Sequence, residues 1–139
     1  MALSAQDRIE IGDLIALHGH LMDTGELDRM DELFTAGITY DLNDFGLGEL
    51  RGIPALREAA GALGAGNPVG HHITNVVIAE ADGAVRVRSK GIGIHADGSS
   101  SSVEYDDTVV HEAGGWRISY RKVIAHRVAL GGRVSGHTA

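Results

Sequence analysis

The chain has 139 residues, no cysteine and a formal net charge of −7 with histidine neutral. That length suits one domain around one core, and the missing cysteines remove disulfides, thiolate metal sites and cysteine nucleophiles together. The acidic balance excludes the basic face that a general nucleic-acid binder carries, and no apolar run approaches a membrane span.

The opening residues, Met1 to Asp7, hold neither a basic region nor a long apolar run, so no secretory signal is expected and a cytoplasmic setting is. Ser4 to Asp7 reads as a capping box. Behind it, Ile11, Leu14, Ile15, His18, Leu21 and Met22 recur at helical spacing as one stripe. Thr24-Gly25 ends that helix, which leaves Asp23 on its last turn. A short second helix is expected over Glu26 to Phe34, and a strand over Ile38 to Leu42. Gly46 to Gly48 reads as loop. Pro54 suits the first turn of a third helix running to about Leu63, and Gly64 to Pro68 is an irregular connection.

From His71 onward the pattern is β. Strands are expected over Ile73 to Glu80, Ala84 to His95, Val103 to Glu112 and Trp116 to Arg127. Asp82-Gly83, Asp97-Gly98 and Gly114-Gly115 supply the turns. Gly131 to Ala139 is a polar tail, expected to be mobile or to clasp a neighbour. The twenty glycines are dispersed, which fits many tight turns rather than a linker. Helices first and a meander after them indicate an α+β fold, in which a curved mixed or antiparallel sheet wraps the N-terminal helices around an apolar pocket.

Strand parity decides which side chains line that pocket. Val85, Val87, Ser89, Gly91, Gly93 and His95 share the expected inner face, opposite Arg86, Arg88 and Lys90. The preceding strand is ambiguous. A two-residue Asp82-Gly83 turn places His72 inward, whereas a three-residue Ala81-Asp82-Gly83 loop places His71 inward. Ala81 and Gly83 suit the three-residue loop, so His71 is the expected inward residue. Val76, Ile78, Ile92 and Ile94 then form an outer apolar patch, and with it a homo-oligomer, a dimer or trimer, is expected.

The candidate catalytic set is Asp23, His71 and His95, with His18 and Tyr40 beside it. A carboxylate bonded to an imidazole fixes its tautomer and stabilises its protonated form, giving a general base near neutral pH. Structural readings exist for each: Asp23 as a turn former, His18 as a core histidine, His71 as a strand-start residue without a role, His95 as a solvent-facing residue at a strand end, and Tyr40 as packing. No helical His-x-x-x-His pair with a carboxylate at ligand spacing is present, so no metal is expected. No Gly-x-Ser-x-Gly elbow or phosphate-binding glycine fingerprint occurs, so neither a serine nucleophile nor a nucleotide cofactor is expected.

Three stretches together resemble the SnoaL-like branch of the nuclear transport factor 2-like superfamily. They are Leu21-Met-Asp-Thr-Gly-Glu-Leu-Asp28 leading into Leu33-Phe34, the His71-His-Ile-Thr-Asn75 strand, and Gly114-Gly-Trp-Arg-Ile118. The likeness covers about residues 5 to 127. It implies a cone-shaped sheet closed by helices, and members similar to this chain include scytalone dehydratase, bile-acid dehydratase and hexachlorocyclohexane dehydrochlorinase. By that resemblance, Asp23 and His71 match the family's Asp–His pair and His95 a second histidine. Asn75 belongs to the strand motif, and Arg121 is the nearest match to a pocket arginine. His18 stands where a tyrosine is common. Val103 and Tyr105 replace the Ser and Asn of scytalone dehydratase, so its substrate does not carry over. The reading that results is a cofactor-free, dehydratase-like lyase acting on a small, largely apolar molecule with an acidic C–H. An isomerase or polyketide cyclase, or a non-catalytic binding module, are the alternatives. Asp23, His71 and His95 are the expected catalytic residues, and His18, Tyr40, Asn75, Tyr105 and Arg121 the substrate-binding ones.

Overall fold

In the computed structural model, which describes residues 2–133, helix α1 (Ala5–Asp23) starts where the sequence signals it. Ser4 Oγ accepts from the Asp7 backbone N–H, and the Asp7 carboxylate accepts from that of Ser4, so two helix-end donors are satisfied reciprocally. Thr24 caps the other end, and Gly25 follows at φ 69°, a conformation that favours glycine. The stripe on α1 is buried at Ile11, Leu14, Ile15, His18 and Leu21. The expected second helix is a 3-10 turn over Leu27–Glu32. Phe34 does not extend it but opens strand β1 (Phe34–Asp41), because the Leu33 carbonyl already accepts from Ile118 of the last strand.

A short strand β2 (Glu49–Arg51), which the sequence reading passed over as loop, pairs antiparallel with β1. Helix α2 (Ile53–Leu63) begins one residue ahead of Pro54. The four long strands are β3 (Gly70–Ala81), β4 (Ala84–Ile94), β5 (Ser100–Glu112) and β6 (Gly115–Ala125). They form a meander, and β1 joins its far edge parallel to β6, giving the order β2-β1-β6-β5-β4-β3. The sheet is therefore mixed and open, with β2 and β3 as its edges. The helices lie in its concavity over a core that includes Ile11, Ile15, Leu33, Ile38, Val87 and Ile118. The expected tail begins at Gly131, but residues 134–139 lie outside the described residues.

The β3–β4 hairpin corrects one expectation and explains another. Its loop is the two-residue Asp82-Gly83 turn, with Ala81 opposite Ala84 and both turn residues at positive φ. That turn alone would send His72 inward. Between Thr74 and Val77, however, β3 carries one extra residue, and Asn75 sits at φ 56°. The bulge reverses the parity of everything before it. His71 lies opposite Gly93 on the inner face for this reason, not because the loop has three residues. Beyond the bulge, Ile78 pairs with Val87 and packs on the core, so it is not part of the outer patch. The exposed apolar residues of this region are Val76, Val77, Ile92 and Ile94.

Helix α1 meets β3 at a glycine. A Cβ on Gly19 would come within 2.6 Å of the His71 carbonyl oxygen, a backbone atom that cannot step aside cheaply. This close approach sets how near the end of α1 comes to His71. We expect Gly19→Ala to destabilise the protein by about 1–3 kcal/mol, read as a lower urea midpoint at unchanged slope. A midpoint equal to or above that of the unmodified protein would contradict the packing described.

Candidate functional site

The end of α1 and the start of β3 converge on one carboxylate. Asp23 Oδ1 lies 2.7 Å from His71 Nδ1. The same carboxylate accepts from the His71 backbone N–H at 2.9 Å and 3.1 Å. Asp23 thus holds both the backbone and the ring of one residue, which fixes the rotamer as well as the position. An ionised carboxylate only accepts hydrogen bonds, so this network assigns the ring proton to Nδ1 and leaves a lone pair on Nε2. The His71 side chain is 17% exposed and that of Asp23 29%, so the pair sits at the edge of the interior with a route to solvent.

His71 lines a cavity of about 600 Å³ between α1, α2 and the sheet. The walls are mostly apolar, with Met22, Met30, Leu50 and Leu56 among them. His18, Tyr40, Tyr105 and Asn67 supply the polar groups. The Asn67 side-chain amide donates to the Ala60 and Gly64 carbonyls at the end of α2, so its carbonyl oxygen remains as an acceptor. Asn67 was not singled out from sequence; it fell within the irregular connection from Gly64 to Pro68.

His18 is 4% exposed and its Nδ1 has no hydrogen-bond partner. Its ring meets those of Phe34, His71 and Tyr105 edge-on, at centroid distances of 6.2, 6.0 and 5.8 Å. Burial, then the charges of Arg121 and His71, hold its pKa well below the ordinary histidine value. Burial likewise raises the Tyr40 and Tyr105 phenols, which therefore stay protonated.

Arg121 does not reach the cavity. Its side chain is fully buried and donates to both oxygens of Asp107, from Nε at 2.7 Å and from Nη2 at 2.8 Å. The guanidinium lies 4.1 Å from the centre of the Tyr105 ring, which covers it. Burial works against the Arg121 charge, but Asp107 outweighs it and raises the pKa above the usual arginine value. The substrate-binding role expected of Arg121 is thus replaced by a floor of the cavity. Asp107, absent from the sequence reading, is the missing partner. Counting from the Gly114-Gly115 turn alone would put Asp107 opposite Tyr120; one extra residue in β6 between Ile118 and Tyr120 brings Arg121 opposite it instead.

Two other expected residues also lie elsewhere. β4 ends at Ile94, and His95 bonds through its backbone N–H to the Ser99 carbonyl as the chain turns away. His95 lines a separate shallow hollow with Ala65, Asp97 and Ser99, so it does not join Asp23 and His71. Asn75 is exposed at the bulge and shapes the strand rather than the cavity. Among the described residues, no group of three or more His, Asp or Glu side chains converges in a way that would hold a metal ion. Among the same residues, no helix is long and apolar enough to cross a membrane.

The burial of His18 has a thermodynamic consequence. The unfolded chain binds a proton at this position below about pH 6.5, where the folded chain refuses it. The unfolded state therefore holds more protons there, and stability falls as pH drops below 6.5 while the contribution is complete above it. Comparison of urea stability from pH 8 to pH 5 should show a steeper loss than in His18→Phe, by at most about 1.4 kcal/mol per pH unit. Parallel curves would contradict a neutral, buried His18.

Comparison with known proteins agrees with this architecture. No curated protein matches the chain. Among solved structures, the Kfla4162 protein of Kribbella flavida is 23% identical, with 88% of this chain and 92% of that one covered at a TM-score of 0.75. A variant of the Rv3472 protein of Mycobacterium tuberculosis, described as of unknown function, is 24% identical over 96% and 84% at 0.77. A putative scytalone dehydratase from Novosphingobium aromaticivorans is 19% identical over 87% and 85% at 0.71. These likenesses establish a shared fold. The family model for the SnoaL-like domain matches residues 4–122, and the chain belongs to that family, within the nuclear transport factor 2-like superfamily.

Proposed function

We propose that the protein is a cofactor-independent, dehydratase-like lyase in which His71 removes a proton from carbon and Asp23 orients and charge-stabilises the imidazole. The observation that carries this reading is the Asp23–His71 contact of 2.7 Å at the edge of a largely apolar cavity. A base needs a lone pair within reach of the substrate and a partner for the charge it acquires. Nε2 and Asp23 supply these. The apolar walls suit a small, largely apolar substrate, and excluding water strengthens each polar contact made to it. The family includes dehydratases, isomerases and cyclases, and all three begin with the same proton abstraction. An isomerase or polyketide cyclase is therefore the nearest alternative.

The reading also has the protein act in the cytoplasm as a homodimer or homotrimer. The exposed Val77, Ile92 and Ile94 support self-association. Light scattering at micromolar concentration should give a mass of two or three chains; a monomer at that concentration would contradict it.

The chemistry is tested by deuterium exchange into 2-tetralone, an uncharged bicyclic ketone with acidic α-hydrogens, followed by proton NMR in D₂O. The protein should accelerate exchange over buffer, and His71→Ala should lose about 10²–10⁴-fold of that acceleration. Unchanged exchange in His71→Ala would remove His71 as the base. No acceleration by the unmodified protein would favour a ligand-binding module of the same fold.

A further inference from the structure

Among the described residues, His18 is the one strongly buried polar side chain on the cavity wall whose ring has an orphaned nitrogen. Neutral imidazole carries its single proton on one nitrogen or the other. Nδ1 is buried without a partner. A proton there would be a donor with nothing to accept it, close to the positive charge of Arg121, which already disfavours charge on this ring. A buried N–H left unpaired is the rarer and costlier orphan. The proton therefore belongs on Nε2, and the histidine offers a neutral N–H donor.

His18 and His71 face each other across the same wall. Their ring centroids are 6.0 Å apart and their planes nearly perpendicular, at 84°. The two rings differ in protonation in a complementary way. Asp23 holds the His71 proton on Nδ1 and leaves Nε2 as a base. His18 keeps its bare Nδ1 buried, so the nitrogen left to meet a ligand is the Nε2–H donor. A lone pair and an N–H donor on adjacent rings match two neighbouring atoms of one substrate: an acidic carbon and the carbonyl oxygen beside it. No guanidinium lines the described cavity wall to meet a carboxylate: Arg121 lies beneath Tyr105, gives Nε and Nη2 to Asp107, and keeps its unpartnered Nη1 buried.

Resting on the proposed role of the Asp23–His71 pair, we propose that His18 is a second catalytic residue, a neutral hydrogen-bond donor to the substrate's carbonyl oxygen, and that the substrate is an uncharged, enolisable ketone or aldehyde. His71 Nε2 takes the α-proton. The C–H electron pair becomes the carbon–carbon double bond, and the carbonyl π pair moves onto oxygen. That oxygen gains negative charge and draws more strongly on the His18 N–H, which is where a fixed donor accelerates reaction. The proton on His71 then returns to carbon or passes to a leaving group, and His71 is neutral again. Because His18 resists protonation, it stabilises the enolate without transferring a proton to it.

Two measurements on the full chain test this. The first is a two-bond ¹H–¹⁵N spectrum of the histidines from pH 8 to pH 5, with His18 assigned through His18→Gln. His18 should remain neutral with its proton on Nε2 throughout. Saturation with 2-tetralone should shift that Nε2 resonance, and tetralin, which has the same skeleton without the carbonyl, should not. A proton on Nδ1, protonation near pH 6.5, equal responses to ketone and hydrocarbon, or no response to either would overturn the proposal; the last two would leave His18 as a core residue or a water ligand. The second is the α-exchange assay. His18→Phe should lose about 10²–10³-fold, and His18→Gln, which keeps an N–H donor, should lose less. Exchange that depends on His71 but is unchanged in His18→Phe would overturn the role of His18 and leave the base standing. Exchange unchanged in His71→Ala would instead overturn the base.

Discussion

The Asp23 carboxylate ties together two elements that are 48 residues apart in sequence, and it does so through three contacts to one residue. Two hold the backbone N–H of His71 and one holds its ring. The backbone contacts come from the first residue pairs of β3, so the ring is anchored to a sheet rather than to a loop. The approach is close because α1 presents Gly19 to the strand, where no side chain would fit. Helix length, helix packing and ring tautomer are thus one constraint. Shift the end of α1 by a turn, and the carboxylate no longer meets the imidazole.

Around that contact the charges are arranged to leave the cavity electrically quiet. Arg121 and Asp107 neutralise each other beneath it, with both side chains fully buried. Breaking such a pair leaves an uncompensated interior charge, which commonly costs about 3–5 kcal/mol. Tyr105 separates the pair from the cavity, and Gly91 makes room for its ring, since a Cβ there would lie 2.6 Å from a ring carbon. The groups that do face inward are neutral donors and acceptors among apolar walls. This environment favours reactions in which charge appears only as the transition state forms.

Much of this was legible in the sequence. The capping box at Ser4, the stripe on α1 and the Thr24-Gly25 end placed Asp23 correctly, because local chemistry alone decides a helix terminus. The α+β class and the four-strand meander followed from the segregation of helices and strands, whereas β2 and the parallel pairing of β1 with β6 did not, since both rest on contacts between segments distant in sequence. The inward position of His71 was expected for a reason that does not hold. The turn has two residues, and a bulge at Asn75 supplies the missing register step. A bulge leaves little trace in composition, since it is a choice of pairing between distant residues. His95 was misplaced because parity was carried one residue past the end of β4. Arg121 was misread because its partner Asp107 lies on another strand, and nothing local tells a paired buried arginine from a free one.

The most direct measurement is the tautomer of His71 in the unliganded protein, read from the ¹⁵N shifts of its two ring nitrogens near neutral pH with and without Asp23→Asn. The result expected is a proton fixed on Nδ1 and a bare Nε2, with that preference lost when the carboxylate becomes an amide. A proton on Nε2, or a tautomer mixture indifferent to residue 23, would mean that the carboxylate does not prepare a base, and the catalytic reading would fall while the fold stood.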